Sequence, residues 1–212
     1  MNSDQKGIVG VIIAGGLSRR MKGQDKCLLP LANKPLINHA IDRLAPQVSL
    51  VVINTNGDTE RFGSDLPTVR DPVDGYAGPL AGVLAGLQWA SQQIEISHIV
   101  TVAADTPFFP ISLVQKLLTK LVESNSEIVV AQSLGRNHPV FAIWSIQLEN
   151  PLENWLQSGK SGKVLTFIEE FKHSFATFDD CLLKDPSPDP FFNVNRPDDL
   201  TRAHTIYEEL NA

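Results

Sequence analysis

The sequence predicts an α/β protein with a mostly parallel central sheet, and two patterns support this class. Continuous apolar runs at residues 8–14, 50–54 and 98–104 are typical of strands buried on both faces of a parallel sheet. Each run is followed by a segment of helical length, as a crossover between parallel strands requires. The predicted architecture therefore has helices on both faces of the sheet.

The predicted crossover helices have distinct compositions. Residues 34–47 are amphipathic, and residues 78–93 are rich in small side chains that allow close packing on a sheet. In residues 109–125 the leucines recur at helical spacing after Pro110, which a first helical turn tolerates. Further on, residues 127–133 and 139–144 are predicted strands, and the remaining predicted helices are 148–158, 163–171 and one that begins at Pro197.

Length and charge limit the classes of function. A chain of 212 residues is sufficient for one full-sized domain, so a single domain over 1–212 is predicted, with a short flexible N-terminus at about 1–6. The formal net charge of -6 argues against a protein that binds nucleic acid or acidic membranes in general. No signal-peptide pattern is present, which favours the cytoplasm. Cys27 and Cys181 lie outside any metal-ligand spacing and are interpreted as structural thiols.

A glycine pair follows the first predicted strand. Gly15 and Gly16 allow backbone amides to approach a ligand that a Cβ atom would exclude, and phosphate is the usual occupant. The nearby cationic residues are Arg19, Arg20, Lys22 and Lys26. Neither G-x-G-x-x-G nor G-x-x-x-x-G-K-[ST] is present, so a turn with a solvated basic flank stays open as the alternative.

Polar residues after two other segments are candidate site residues. Asp105 follows the run at 98–104, so it is expected at the carboxyl end of a central strand, where ligands bind in open α/β sheets. Asn193 and Asn195 alternate with Val194, which in extended backbone directs both amides to one face. The alternatives are a turn aspartate before Pro107 and a polar loop before the last helix.

Five motifs, in their order along the chain, resemble those of the nucleotidyltransferases that attach a nucleotide to molybdopterin, specifically the molybdenum cofactor guanylyltransferases. These motifs are IIAGGLSRRMKGQDK (12–26), GPLAG (78–82), ADTPF (104–108), NHPVFA (137–142) and FFNVNRPDDL (191–200). The resemblance extends from about residue 7 to about residue 210. It implies a Rossmann-like nucleotidyltransferase domain.

The resemblance also implies a reaction and its partners. GTP and the molybdopterin cofactor give the guanine dinucleotide form of the cofactor and pyrophosphate, with Mg²⁺. The protein must align anions that repel one another and offset the charge that grows on pyrophosphate. Implied protein partners are other molybdenum cofactor biosynthesis proteins or acceptor molybdoenzymes, with no role for nucleic acid or a membrane.

Site residues are carried over from the resemblance position by position. The implied nucleotide-binding positions are Ile13, Ala14, Gly15, Gly16, Lys26, Asn54, Asp71 and Asp105. The implied catalytic positions are Arg20, Lys26, Asp105, Asn193 and Asn195, with Asp105 as the Mg²⁺ ligand. Without the motif, the alternative for Lys26 is a solvated loop lysine. The alternative for Asp71 is a simple turn before Pro72.

The sequence departs from the family pattern at Lys22, which replaces the first glycine after Met21. The basic residue expected near the pterin is either Lys160 or Lys163, and the sequence does not choose between them. A cytidylyltransferase is one alternative function, although Ala14-Gly15-Gly16 favours GTP over the Ala-Ala-Gly of those relatives. A catalytically silent nucleotide-binding regulatory module is the other alternative.

Overall fold

The fold is known from a computed structural model that describes residues 7–15, 25–73, 78–178 and 189–211. The strands are β1 (Ile8–Ile13), β2 (Pro30–Leu31), β3 (Lys34–Pro35), β4 (Leu50–Asn54), β5 (Thr68–Val69), β6 (His98–Ala103), β7 (Ile128–Ser133), β8 (Arg136–Ser145) and β9 (His173–Thr177). The helices are α1 (Leu36–Leu44), α2 (Pro79–Ser91), α3 (Leu113–Ser124), α4 (Glu149–Gln157), α5 (Val164–Ile168) and α6 (Pro197–Leu210). The predicted flexible N-terminus at about 1–6 lies outside the described residues.

Seven strands form one sheet in the order β5-β4-β1-β6-β8-β7-β9. The three apolar runs of the sequence become β1, β4 and β6, which are adjacent and mutually parallel. The mostly parallel α/β class is therefore confirmed. The short edge strands β5 and β9 were not predicted, and α5 is shorter than the predicted helix at 163–171.

One strand, β8, is antiparallel to both of its neighbours. It follows β7 through a two-residue turn, Leu134 and Gly135, whose φ angles are 48° and 71°. Two consecutive positive φ angles are the geometry of the tight hairpin turn that matches the twist of the strands. A connection this short cannot make a crossover, so β8 must run in the reverse direction.

Helices cover both faces of the sheet. Alternate side chains of β1 separate into two cores: Ile8 and Ile12 pack in one cluster with residues of α1 and α3, and Val9 and Val11 pack in another with residues of α2, α4 and α5. This alternation follows from the two-residue period of a strand. A smaller cluster joins α6 to Leu31 and Phe108. No helix in the described part of the chain is long and apolar enough to cross a membrane.

Close contact between α2 and β1 depends on Gly86. A Cβ atom at this position would lie 2.6 Å from Cγ2 and 3.0 Å from Cγ1 of Val11. Val11 is fully buried in a central strand and cannot move aside freely. The small residues of the predicted second helix therefore serve its packing on the sheet, as the sequence indicates.

We predict that Gly86→Ala destabilises the protein. Overpacking of a core costs about 1–3 kcal/mol, and the better helix propensity of alanine offsets about 1 kcal/mol of this. Thermal unfolding should show a melting temperature lower by about 2–4 °C. In a Val11→Ala background the obstructing methyl groups are absent, so Gly86→Ala should become neutral or stabilising. A loss of the same size in both backgrounds would contradict this explanation.

Candidate active site

The carboxyl ends of the three central strands meet at one edge of the sheet. Ala14 N donates to Asn54 O over 2.9 Å, and Ala104 N donates to Ile13 O over 3.1 Å. These bonds continue the strand pairing past the ends of the strands. They bring the backbone after β1, which includes Gly15, next to the ends of β4 and β6.

A cavity of about 530 Å³ opens beside the ends of β1 and β4. This volume is in the range of small-molecule sites. Predicted nucleotide-binding residues in its wall are Ile13, Ala14, Gly15, Asn54 and Asp71, and the sequence did not predict the contributions of Thr55, Asn56, Gly57 and Arg61. The structure thus brings together five of the predicted nucleotide-binding positions in one cavity.

Asn54 is a buried polar residue of this wall, with a relative exposure of 1%. Its Nδ2 donates to Asp71 Oδ1 over 2.9 Å, so two predicted residues from different strand ends are in direct contact. Gly82 of α2 faces Asn54 Oδ1, and a Cβ atom at this position would collide with that oxygen. The glycine of the GPLAG motif therefore leaves the space that Asn54 occupies.

Asn56 holds the same carboxylate from the other side. Its Nδ2 donates to Asp71 Oδ2 over 2.6 Å, while Asp71 N donates to Asn56 Oδ1 over 2.9 Å. Both oxygens of Asp71 thus accept from neutral amides, and the carboxylate has a fixed direction. The sequence analysis did not predict this second amide; the signal that could have indicated it is the alternation of Asn54, at the end of the predicted strand, with Asn56.

Lys26 lies at the edge of the sheet beside Asp105. Its Nζ donates to Asp105 Oδ2 over 3.1 Å and to Asn195 Oδ1 over 2.9 Å. The side chains of Lys26 and Asp105 are 25% and 17% exposed, so the ion pair lies in a position that is partly shielded from water. A partly shielded charge interacts more strongly with a bound anion than one in bulk water.

The segment with Asn193 and Asn195 lies across the end of β6. Asn193 Nδ2 donates to Asp105 Oδ1 over 3.4 Å, and Val194 N donates to Asp105 O over 2.9 Å. Val194 is fully buried, whereas both asparagines face the ion pair of Lys26 and Asp105. The predicted orientation of the two amides is confirmed, and their catalytic roles stay a prediction.

A polar cluster fixes the start of this segment. The Ser133 hydroxyl donates to Asp189 Oδ1 over 2.6 Å and accepts from His138 Nε2 over 2.7 Å. The same Asp189 oxygen accepts from Phe191 N over 2.9 Å, and the Phe191 ring stacks on His138 with centroids 4.5 Å apart. Burial lowers the pKa of His138. This histidine, for which no proton transfer is predicted, thus has a packing partner and a hydrogen-bond partner.

Asn193 and Asn195 also line a second cavity of about 840 Å³. Its wall includes the aromatic residues Phe191 and Phe192, together with three arginines, Arg136, Arg196 and Arg202, and two aspartates, Asp189 and Asp199. The sequence analysis did not predict this cavity. The arginines exceed the aspartates by one charge, and the guanidinium groups suit an anionic ligand with an aromatic part.

The loop that contains Lys160 and Lys163 is close to the nucleotide cavity. Gly162 O lies 3.7 Å from the position that a Cβ atom of Gly78 would take, and Gly78 is part of the cavity wall. Lys160 Nζ lies 4.5 Å from the ring centroid of Trp155. The role of Lys160 or Lys163 in contacting the pterin stays a prediction.

Some predicted residues lie outside the described part of the chain. These are Gly16 and Arg20, together with Arg19, Lys22 and Cys181. Cys27 is buried, and burial raises the pKa of its thiol, in agreement with a structural role. Asp25, close to Cys27 in the sequence, forms an ion pair with the more distant Arg61 beside the site. No sequence pattern indicated this ion pair.

Parallel strand ends, a cavity of nucleotide size and a lysine paired with a carboxylate define the class of α/β nucleotide-binding proteins that handle phosphates. The profile of one family, described as the MobA-like NTP transferase domain, matches residues 10–173. A molybdenum cofactor guanylyltransferase of Mesorhizobium japonicum is 39% identical over 209 residues, which cover 98% of this chain and 100% of the relative. Another from Brucella ovis is 41% identical over 97% of this chain and 95% of the relative. The chain therefore belongs to the MobA-like NTP transferase family.

Solved structures support the same fold. Molybdopterin-guanine dinucleotide biosynthesis protein A from Archaeoglobus fulgidus matches with a TM-score of 0.74 at 23% identity, over 95% of this chain and 98% of that chain. A 4-diphosphocytidyl-2C-methyl-D-erythritol synthase from Anaerococcus prevotii matches with a TM-score of 0.72 at 13% identity, over 97% of both chains. At these identities the likeness shows the fold alone.

We predict that Gly82→Ala lowers the affinity of this cavity for a nucleotide, with GTP as the probe, by about tenfold, which is roughly 1.4 kcal/mol. The added Cβ displaces Asn54, and Asp71 then loses one of its amide donors. Calorimetric titration with GTP measures the change. Gly86→Ala, the same substitution one turn along α2, should leave the affinity for GTP unchanged because its Cβ faces Val11. Equal affinities for the parent and Gly82→Ala proteins would show that Asn54 does not shape the site.

Proposed function

We propose that the protein transfers GMP from GTP to molybdopterin, giving the guanine dinucleotide form of the cofactor and pyrophosphate in a Mg²⁺-dependent reaction. The observation that carries the proposal is the contact of Lys26 with Asp105 and Asn195 beside a cavity of nucleotide size. The molybdenum cofactor guanylyltransferases of Mesorhizobium japonicum and Brucella ovis, which this chain matches over nearly their full length, support the choice of substrates. We expect the reaction in the cytoplasm, with other cofactor biosynthesis proteins or acceptor molybdoenzymes as partners.

The cavity beside β1 and β4 is the proposed site for the guanosine part of GTP. Gly15 has no side chain, so the nucleotide can approach the backbone after β1 closely. Asp71 has both oxygens directed by Asn54 and Asn56, which suits it to accept N–H donors of a ligand. Guanine presents such donors on one edge, and this polar wall supports GTP as the nucleotide.

Lys26 and Asp105 are the proposed phosphate and metal residues. The Lys26 ammonium is a compact charge that can exchange its carboxylate partner for a phosphate oxygen. Asp105 would hold Mg²⁺ here, because its carboxylate is a hard oxygen donor at the strand end and Mg²⁺ is usually held by one or two carboxylates together with substrate phosphates and water. When bound, the ion offsets negative charge on the triphosphate and on the departing pyrophosphate.

The acceptor is proposed to approach from the side of Asn193 and Asn195. Its terminal phosphate is already an anion, so an oxygen of that phosphate attacks the α-phosphorus of GTP without a proton transfer. The new P–O bond replaces the bond between the α-phosphorus and the oxygen that bridges to the β-phosphate, and pyrophosphate leaves. The asparagine amides donate to the phosphates that must be aligned. The arginines and aromatic rings of the second cavity support an anionic acceptor with an aromatic ring system.

Nucleotide preference tests the proposed substrate. GTP should bind at least about tenfold tighter than CTP in calorimetric titrations with Mg²⁺, a difference of roughly 1.4 kcal/mol. Pyrophosphate release with molybdopterin as acceptor should show the same preference. Equal affinity for GTP and CTP, or a preference for CTP, would refute the proposal that the protein is a guanylyltransferase. GTP binding without any release would instead support a silent nucleotide-binding module.

The role of Asp105 is tested by Asp105→Asn, which keeps the size of the side chain and removes its charge. Pyrophosphate release should fall by about 100-fold or more, roughly 2.7 kcal/mol in the activation free energy. GTP should still bind, with an affinity that depends little on Mg²⁺, and the melting temperature should stay near that of the parent protein. Asp65→Asn, at an exposed aspartate between β4 and β5, is the matched control and should be silent. Normal release by the folded Asp105→Asn protein would refute the metal-binding role.

A further inference from the structure

Arg61 links the wall of the nucleotide cavity to the turn that begins with Lys26. It lies in a short 3-10 turn, Glu60–Phe62, in the connection between β4 and β5. Its Nη2 donates to Thr55 Oγ1 over 2.7 Å, and Thr55 is fully buried at the end of β4. The other terminal nitrogen forms an ion pair with Asp25 Oδ2. The guanidinium thus bridges a buried strand end and the residue that precedes Lys26.

Asp25 transmits this connection to Lys26. Its other oxygen, Oδ1, accepts from the backbone N and from Sγ of Cys27, over 3.3 Å and 3.0 Å. Asp25 is therefore the N-cap of the 3-10 turn Lys26–Leu28. Because one carboxylate oxygen caps the turn and the other contacts Arg61, the direction of the turn depends on the position of Arg61.

Several contacts fix Arg61 itself. Its guanidinium carbon lies 4.6 Å from the centroid of the Phe62 ring. A Cβ atom at Gly57 would lie 3.0 Å from Arg61 Nη1, so the glycine makes room for the guanidinium. The side chains of Arg61 and Asp25 are only 26% and 24% exposed. A partly buried, charge-assisted contact of a planar guanidinium is stronger and more directional than an exposed ion pair.

We propose that Arg61 is a positioning residue for the transfer reaction: through Asp25 it orients Lys26 toward Asp105 and the phosphates of the bound nucleotide. The inference rests on the proposed function, in which Lys26 contacts those phosphates. It goes beyond the family resemblance, which assigns roles to neither Arg61 nor Asp25. It also connects two parts of the site, since Arg61 belongs to the wall of the nucleotide cavity.

The proposal predicts that the effect of Arg61 requires Lys26. Arg61→Ala should lower kcat for pyrophosphate release by about tenfold and change the KM for GTP by less than about threefold, because orientation in the reacting state is lost. In a Lys26→Ala background the same substitution should have no more than about a twofold effect. The four proteins of this cycle are compared with GTP, Mg²⁺ and molybdopterin, each beside a melting curve.

Asp25→Asn provides a second route to the same test. The amide keeps the size of the side chain and an oxygen to cap the turn, and it loses the ion pair with Arg61. Its kcat should fall as in Arg61→Ala, and the double variant should be no slower than either single variant. If Arg61→Ala does not fold, Asp25→Asn alone tests whether the ion pair between Arg61 and Asp25 contributes to the reaction. The control removes an exposed ion pair elsewhere, Lys34 with Asp42, by Lys34→Met, and its kinetics should be those of the parent protein.

Two outcomes would overturn the proposal. Parent-like kinetics of folded Arg61→Ala and Asp25→Asn proteins would show that the ion pair has no part in the reaction. Independent, multiplicative effects of Arg61→Ala and Lys26→Ala would show that Arg61 acts on the nucleotide directly.

Binding of inorganic triphosphate separates this inference from the proposed function. If the parent protein releases no pyrophosphate with molybdopterin, the proposed function fails, whatever the variants do. Titration of the same four proteins with triphosphate and Mg²⁺ still measures whether Arg61 acts through Lys26, without base or acceptor. A loss of triphosphate affinity on Arg61→Ala that stays within the limit of about threefold set for the KM of GTP, and that is seen only when Lys26 is present, supports the inference. Equal weakening in both backgrounds rejects it.

Discussion

The arrangement of the site depends on Asp105, which binds segments from both ends of the chain. Its backbone oxygen accepts from Val194 N, and its carboxylate accepts from Lys26 and Asn193. A residue at the end of a central strand is suited to this role because the sheet fixes its backbone. Without these bonds, neither the turn with Lys26 nor the segment with the asparagines would have a defined distance from the strand ends.

The two carboxylates of the site are held by different kinds of donor. Asp71 accepts from the neutral amides of Asn54 and Asn56, whereas Asp105 accepts from the Lys26 ammonium. Neutral donors fix the direction of a carboxylate and leave its charge available to a ligand. A cationic partner instead offsets the charge of Asp105 in the absence of substrate, and it is itself attracted to arriving phosphates. On the side of the base, the carboxylate of Asp71 thus has a fixed orientation. On the side of the phosphates, Lys26 can exchange its ion pair with Asp105 for one with a phosphate.

The sequence was sufficient to predict the parts of the molecule that depend on local pattern. Apolar runs predicted β1, β4 and β6, and the polar residue after a strand predicted the location of Asp105. The sequence analysis did not state the direction of β8, although residues 134–138 between the two predicted strands are too few for a crossover. The turn itself was not predictable, because it contains Leu134 in a left-handed conformation that leucine rarely adopts. The contact of Arg61 with Asp25 was also missed, since a side-chain pair 36 positions apart leaves no periodic signal.

The order in which a ribosome makes the chain gives the C-terminal asparagines a further significance. Lys26 and Asn195 are separated by 169 positions, so their contact forms only after residue 195 has been synthesised. Contacts of such long range are the slowest to be established in folding. A nascent chain that ends before residue 195 therefore lacks this contact even when its three central strands have already been synthesised. The proposed phosphate site is completed only when the asparagine segment joins it.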